Sequence, residues 1–351
     1  FERGPDVSFA NCGLPYYLGG EIAERAKLLV VKPELLRQRF RLDVRTLSSI
    51  EAIDRTQKTV RVREIATGRE YDERYDKLIL ATGAAPFKPE LPGIGLEGVF
   101  TLRNLEDTDR IKAKLDSGVT HAVLMGGGFI GLELAENMVR LGIKTTLVEK
   151  NEQLLMPFDK EMTAPLVAEL ARRGVRVVFG ESAERFEAKG SSLEVVLSSG
   201  ERLPCELAIL GIGVRPENHL AVAAGLAVGA RGGVKVDSQM RTAGPDIYAV
   251  GDMIEVTDTV TGDLTQVPLA GPANRQGRIA ADNIAGRESS YRGTQGTAIL
   301  GFFGITLAVT GCNERTLRRA NRPFQKAYIH PMNHAGYYPG AEGMSLKLLF
   351  A

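Results

Sequence analysis

The chain has 351 residues, with 44 lysines and arginines against 43 acidic residues. That is long enough for two or more domains and too balanced in charge to argue for nucleic acid or an anionic membrane as partner. Three cysteines are too few, and odd in number, for a secreted disulfide framework, so a reducing cytoplasm is expected. No apolar run approaches the ~20 residues of a spanning helix, and no signal-peptide pattern is read. The chain opens on Phe1-Glu2 without an initiator methionine, which reads as an N-terminal truncation.

In chain order, the first signal is SFANCGLPYYLGG at residues 8–20. Cys12 opens a turn-and-helix pattern in which Gly13 leaves backbone N–H groups accessible and Pro15 suits a first helical turn. No second cysteine lies near it. A helix N-terminus lowers a thiol's pKa, and the thiolate is the nucleophile, so a reactive thiol is expected; a buried structural thiol is the blander reading. For Cys205 and Cys312, next to apolar runs, the structural reading is preferred. Downstream, Val60 and Val62 alternate, Thr67-Gly68 turns, and Leu78–Leu80 runs into Ala81-Thr82-Gly83.

Residues 121–150 read HAVLMGGGFIGLELAENMVRLGIKTTLVEK. Ala122–Met125 suits a buried strand. Gly126, Gly128 and Gly131, with Phe129 and Ile130 between the last two, have the G-x-G-x-x-G spacing. Ile130, Leu134, Met138 and Leu141 follow at helical spacing, Gly142 ends the helix, and Thr145–Val148 forms a second strand closed by Glu149. In this context the glycines read as a dinucleotide fingerprint. Gly126 permits the turn, Gly128 lets backbone approach a pyrophosphate at the helix N-terminus, Gly131 lets helix and strand pack, and Glu149 binds the ribose hydroxyls of NAD. The alternative, a glycine-rich turn in a plain βαβ unit, does not explain the acid. A helix at Pro165–Arg173, a strand at Val175–Phe179, alternation at Leu193–Leu197, a Ser199-Gly200 turn and an apolar Leu207–Leu210 leading to Gly211 and Gly213 complete the domain.

The same order of acid, hairpin, apolar strand and glycine occurs at the front, where Phe1-Glu2-Arg3 resembles Val148-Glu149-Lys150. Two nucleotide-binding domains of similar plan are therefore expected. The front one lacks its first strand and glycine loop, ~30 residues by the usual spacing, and carries the extra Cys12 segment. In TAGPDIYAVGD, residues 242–252, a short strand Ile247–Val250 ends at Asp252 on the ligand crevice. Residues 267–286 read as a loop and then a helix from about Ala273, its N-terminus directed at something electron-rich. From Thr297 onward come alternating strands, including Ile299–Val309 and Ser345–Phe350, around YIHPMNHAGYYPG at 328–340. The strand-like ending reads as a cut C-terminus.

The two nucleotide domains, Ala81-Thr82-Gly83, TAGPDIYAVGD and the lone cysteine resemble the FAD- and NAD-dependent pyridine nucleotide-disulfide oxidoreductases. Within them, SFANCGLPYY, LAGPANRQGR and HAGYYPGAE resemble the coenzyme A-disulfide reductases and NADH-dependent persulfide reductases. The resemblance implies an α/β fold of two Rossmann-like three-layer nucleotide-binding domains, for FAD and NAD, and a C-terminal α+β dimerisation domain. It divides the chain into an FAD-binding domain at 1–105 and 229–296, an NAD(P)H-binding domain at 106–228 and a dimerisation domain at 297–351. The N-terminal βα unit and part of the C-terminus are expected to be missing. It also implies a cytoplasmic homodimer in which NADH, or NADPH, reduces FAD. The reduced flavin cleaves a mixed disulfide between Cys12 and coenzyme A, which supplies the second sulfur, and the freed thiolate attacks the next small-molecule disulfide or persulfide.

Carried over by position, Ser8, Asn11 and Asn274 would contact coenzyme A, and Arg39, with Arg37 and Arg41, would meet its phosphates or form a solvated basic face. Glu2 and Arg3 would hold the FAD adenosine, Thr82 and Gly83 would pass close to the flavin nucleotide, and Asp252 would bind its ribityl chain beside Pro268, Leu269 and Ala270. Gly126, Gly128, Phe129, Ile130, Gly131, Glu149 and Gly213 would serve NAD. Tyr337 would reach the partner subunit's active site as a catalytic proton donor or positioner, with dimer packing as the alternative for Tyr337 and Tyr338; His330 and His334 are candidate interface histidines. No metal site is expected. The rival readings are an NADH oxidase or peroxidase using a cysteine sulfenic acid, and a coenzyme A-binding redox sensor without turnover.

Overall fold

The computed structural model describes residues 1–190 and 192–351. The strand His121–Met125 lies at the centre of a five-stranded parallel sheet, in the order Val99–Thr101, Leu207–Leu210, His121–Met125, Lys144–Glu149, Arg176–Phe179. Alternate residues of its strands feed two cores. Ala122, Leu124, Leu147, Leu207 and Ile209 pack under the helices Leu105–Asp116, Phe129–Arg140 and Ala164–Arg172. Val123, Met125, Val148, Ala208 and Leu210 pack under the antiparallel meander Ala183–Lys189, Ser192–Leu197, Arg202–Cys205. Covering both faces is what makes parallel strands read as continuous apolar runs. Of the helically spaced apolar residues, Leu134 and Met138 are buried while Ile130 and Leu141 are partly exposed.

The second unit pairs Leu78–Leu80 in parallel with Ile247–Ala249. A three-stranded meander, Ser48–Asp54, Thr59–Glu64 and Glu70–Arg74, stands beside it. Its own core runs from Leu80 through Met240, Tyr248 and Met253 to Ala280 of the helix Ala270–Ile284. That helix begins three residues before the expected Ala273. Pro272 does not delay it, because the first-turn N–H groups have no intrahelical acceptor anyway. An antiparallel ribbon, Ala84–Pro86 with Val214–Pro216, ties the two units together.

Phe1–Arg3 runs beside residues 45–48, the Glu2 N–H donating to the Arg45 carbonyl at 2.9 Å and the Ser48 N–H to the Glu2 carbonyl at 3.0 Å. Its one apolar side chain, Phe1, is exposed, and the Glu2 carboxylate folds back to accept the Gly4 N–H at 2.7 Å. The last segment forms two hairpins. Ala298–Phe302 with Ile305–Val309 buries Leu300, Phe302 and Leu307 in the core of the glycine-loop helix. Gln325–Ile329 with Leu346–Phe350 leaves Ile329, Leu348 and Phe350 exposed. It is pinned by Lys347, whose ammonium bonds Asp159 at 2.7 Å and Glu161 and Glu314 at 2.5 Å. Among the described residues no helix is long and apolar enough to cross a membrane.

Candidate active site

Cys12 lies in a single 3₁₀ turn, Asn11–Gly13, that runs into the five-residue helix Leu14–Leu18 with Pro15 in its first turn. Leu14 and Leu18, one helical turn apart, are buried against the helix Phe129–Arg140. The approach is close: a Cβ on Gly19 would fall 1.9 Å from Asn137 Oδ1. This anchoring leaves the thiol exposed at the open end. The expected lowering of its pKa does not occur. Burial raises it, the charge of Glu133 raises it further, and the hydrogen bond of its own backbone N–H offsets only part of this. A five-residue helix carries little macrodipole, and the Glu133 carboxyl lines the same cleft as the sulfur.

The thiol opens on a cleft of about 1760 Å³ lined by residues of both units. Gly126, Gly128, Phe129, Ile130, Glu149 and Gly213 line it from the parallel-sheet side. Gly126 is in the left-handed region at φ 105°, and a Cβ on Gly131 would stand 1.9 Å from the Gly126 carbonyl oxygen, so neither tolerates a side chain. Space around Gly128 is open, which leaves room for a ligand to reach the backbone. Glu149 is buried. Its Oε2 accepts the Gly127 N–H at 2.6 Å, and its Oε1 accepts the Asn151 N–H at 2.7 Å and Nδ2 at 2.6 Å. With two acceptor positions per oxygen, Oε1 is filled and Oε2 keeps one for a ribose hydroxyl.

From the other side, Asp252, Pro268, Leu269 and Ala270 line the cleft. Asp252 sits in the turn Gly251–Met253 that follows the strand Ile247–Ala249. Burial pushes its carboxyl up and Arg103 opposes this; no hydrogen bond to it is made among the described residues. An acceptor without a donor, set opposite the unpaired N–H groups of the helix that starts at Ala270, matches a ligand carrying both hydroxyls and phosphate. This donor set fits a flavin dinucleotide. Thr82 and Gly83 end the neighbouring strand without lining the cleft: Thr82 Oγ1 donates to the Glu217 carbonyl at 2.5 Å, and Gly83 is left-handed at φ 72°. Glu2 and Arg3 lie outside it, beside the meander, where Ser48 N–H donates to the Glu2 carbonyl at 3.0 Å.

Of the remaining expected residues, Asn11 lines the cleft, whereas Ser8, Arg39, Asn274 and Tyr337 do not. Asn274 Nδ2 donates to the Ala270 carbonyl at 3.0 Å. Arg39 lies on the exposed helix Pro33–Phe40, its guanidinium 5.4 Å from the Phe40 ring. Tyr337 is 83% exposed and stacks obliquely on Tyr338 at 4.8 Å. Cys205 is buried, and burial and Glu206 push it up to about 12. Cys312 is only half-buried, with its sulfur 3.9 Å from the Asp258 carboxylate; burial and that charge raise its pKa, which disfavours the thiolate. The carboxylates of Asp159, Glu161 and Glu314 converge closely enough to hold a cation, and the Lys347 ammonium bonds all three. Sequence reasoning missed Glu133 and Arg103, both on the cleft wall. Glu133 was within reach of helical periodicity, since it follows Phe129 and Ile130 by one turn; Arg103 carries no comparable signal.

A lone thiol on a cleft shared by two nucleotide-binding units defines a class of flavin- and nicotinamide-dependent disulfide oxidoreductase. Residues 1–277 match the pyridine nucleotide-disulphide oxidoreductase family, and the chain belongs to it. A coenzyme A disulfide reductase of Staphylococcus haemolyticus is 33% identical over 352 residues, covering all of this chain and 78% of that protein. The crystal structure of reduced Bacillus anthracis CoADR-RHD superposes with a TM-score of 0.97 at 47% identity, over all of this chain and 63% of that one. A NAD-dependent persulfide reductase from A. fulgidus gives 0.95 at 35% identity, over 99% of this chain and 65% of that one.

Proposed function

We propose that the chain forms the catalytic part of an NAD(P)H-dependent flavoprotein reductase. Its single redox thiol, Cys12, forms a mixed disulfide with coenzyme A and so reduces coenzyme A disulfide or a coenzyme A persulfide or polysulfide. The observation that carries this reading is Cys12 itself, exposed on the wall of the cleft lined by both units, with no second cysteine among the described residues of that wall. Bound FAD would supply the two-electron link between a nicotinamide hydride and sulfur.

In this reading the chain's residues divide the work by position. The backbone at Gly126 and Gly128 and the helix start at Phe129 and Ile130 receive the pyrophosphate of NADH, Gly131 keeps that helix against its strand, Glu149 orients a ribose, and Gly213 bounds the nicotinamide end. Asp252, Pro268, Leu269 and Ala270 hold the flavin's ribityl side, with Thr82 and Gly83 behind them and Glu2 and Arg3 at the adenosine. Asn11, Ser8 and Asn274 receive coenzyme A near its sulfur and Arg39 its phosphates. Tyr337 serves the partner subunit of a homodimer, which fits its position outside this chain's own cleft. The domain limits at 105, 228 and 296 and a cytoplasmic location belong to the same reading. The test is the NADH oxidation rate of the full-length enzyme with coenzyme A disulfide and coenzyme A persulfide, against oxygen alone. The sulfur acceptors should be at least ten-fold faster; oxygen as fast as either would favour an oxidase.

A further inference from the structure

We propose that Glu133 is the acid–base partner of Cys12, taking the thiol proton as the sulfur attacks a disulfide and returning it to the sulfur that departs. This rests on the reading of Cys12 as the redox thiol. The geometry begins with the glycine-loop helix. Phe129, Ile130 and Glu133 share one face of it, spaced by one turn, and all three line the cleft onto which Cys12 opens. The helix bearing the thiol is packed across that same helix through Leu14 and Leu18, so the sulfur and the carboxyl are carried into one cleft by two elements locked together.

Glu133 is also free for the task. Its carboxylate has no hydrogen bond or ion pair among the described residues, whereas Glu136, one turn on, is tied to Arg140 at 2.8 Å and to the Phe303 N–H at 3.1 Å. From the thiol's side, Cys12 and Tyr16 face it, and both have raised pKa values to which its charge contributes. From its own helix comes Glu136. Arg140 is engaged by Glu136 and Glu21, and the cleft cations Arg103, Lys150 and Arg275 make no ion pair with it. Burial, and then the charge of Glu136, push Glu133 up to about 7, where a carboxylate is an effective base at neutral pH. The charge of Glu133 thus disfavours the Cys12 thiolate, so a carboxylate and a thiolate side by side are resisted.

The step balances within the site. Cys12 thiol, Glu133 carboxylate and a disulfide give a mixed disulfide on Cys12, Glu133 carboxylic acid and a departing thiolate. One S–S bond forms as another breaks, and no net oxidation occurs. Transfer of the proton from Glu133 to the departing thiolate restores the carboxylate.

The experiment uses the full-length enzyme, reduced and freed of bound coenzyme A, as wild type, Glu133→Gln and Glu133→Asp. Two rates are followed against pH: alkylation of Cys12 by iodoacetamide, read by peptide mass, and single-turnover attack of Cys12 on coenzyme A disulfide. In the wild type the alkylation profile should show an inflection near pH 7 below that of the thiol. Glu133→Gln should lose it and alkylate several-fold faster at pH 8, because a negative charge beside the thiolate is gone, yet attack coenzyme A disulfide about ten-fold or more slowly, because the base is gone. Glu133→Asp should restore part of both. An unchanged alkylation profile, or both rates falling together as in a damaged site, overturns the proposal. Failure of Cys12 to react with coenzyme A disulfide in the wild type would instead strike the functional reading. Should Glu133→Gln not fold, the comparison of Glu133→Asp with wild type decides.

Discussion

At the scale of single residues, Glu149 is the place where the proposed reading asks one carboxylate to serve both structure and nucleotide selectivity. It ties the glycine loop through Gly127 and the following turn through Asn151, and keeps one acceptor position toward the cleft. A 2′-hydroxyl can donate to that position, while a 2′-phosphate can only repel it, even with Lys150 beside it on the cleft wall. The enzyme should therefore use NADH more efficiently than NADPH by kcat/KM, and equal or reversed efficiencies would contradict this role. The acid at the strand end was legible in the sequence because G-x-G-x-x-G fixes its distance from the loop. Its second role was not, since the Gly127 N–H reaches it only through the fold. Cys12 divides the same way. Its neighbours in the chain marked it as reactive, but the sign of its pKa shift depends on Glu133, which tertiary packing brings near.

At the scale of elements, the parallel sheet and its helices were readable because apolar runs and glycines punctuate them. The likeness of Phe1–Arg3 to Val148–Lys150 rests on the acid, and the two carboxylates differ in their bonds: that of Glu2 accepts the Gly4 N–H, whereas that of Glu149 ties Gly127 and Asn151. The hairpin Gln325–Ile329 with Leu346–Phe350 was partly legible as alternation, but its attachment was not. That attachment is Lys347, 5% exposed at its side chain. Burial would lower its pKa, and its bonds to Asp159, Glu161, Glu314 and Tyr328 outweigh this and hold it above the usual range. Burial likewise works against Glu161, yet hydrogen bonds from Lys347 and Tyr328 hold it down at about 2. Lys347→Met should cost roughly 2–3 kcal/mol, less than a fully buried pair because Glu161 is half exposed. Hydrogen exchange should accelerate across 325–350. Glu161's folded pKa lies below its ordinary value of 4.5, so the stability it contributes is complete above that value and fades as pH falls toward 2. The difference between wild type and variant should shrink over that window; a constant difference would remove Lys347 as the cause.

At the scale of the whole molecule, two units and a short thiol-bearing helix enclose one cleft, and the exposed apolar hairpin and loop stand outside it. If Tyr337 serves a partner's site, heterodimers carrying Cys12→Ser in one subunit and Tyr337→Phe in the other should retain one good site per dimer. Turnover by size-selected heterodimers at about half the wild-type rate supports the in-trans arrangement. One dead site and one impaired as in the Tyr337→Phe homodimer, each lesion acting in cis, would refute it. The central claim is that coenzyme A supplies the sulfur the chain lacks. Its most direct test is the intact mass of the full-length oxidised enzyme as isolated, before and after NADH, with peptide mapping of the modified residue. The account predicts one coenzyme A in disulfide linkage on Cys12, released by NADH and absent from Cys12→Ser. An adduct on Cys205 or Cys312, or a Cys12→Ser enzyme that reduces coenzyme A disulfide at the wild-type rate, would contradict it.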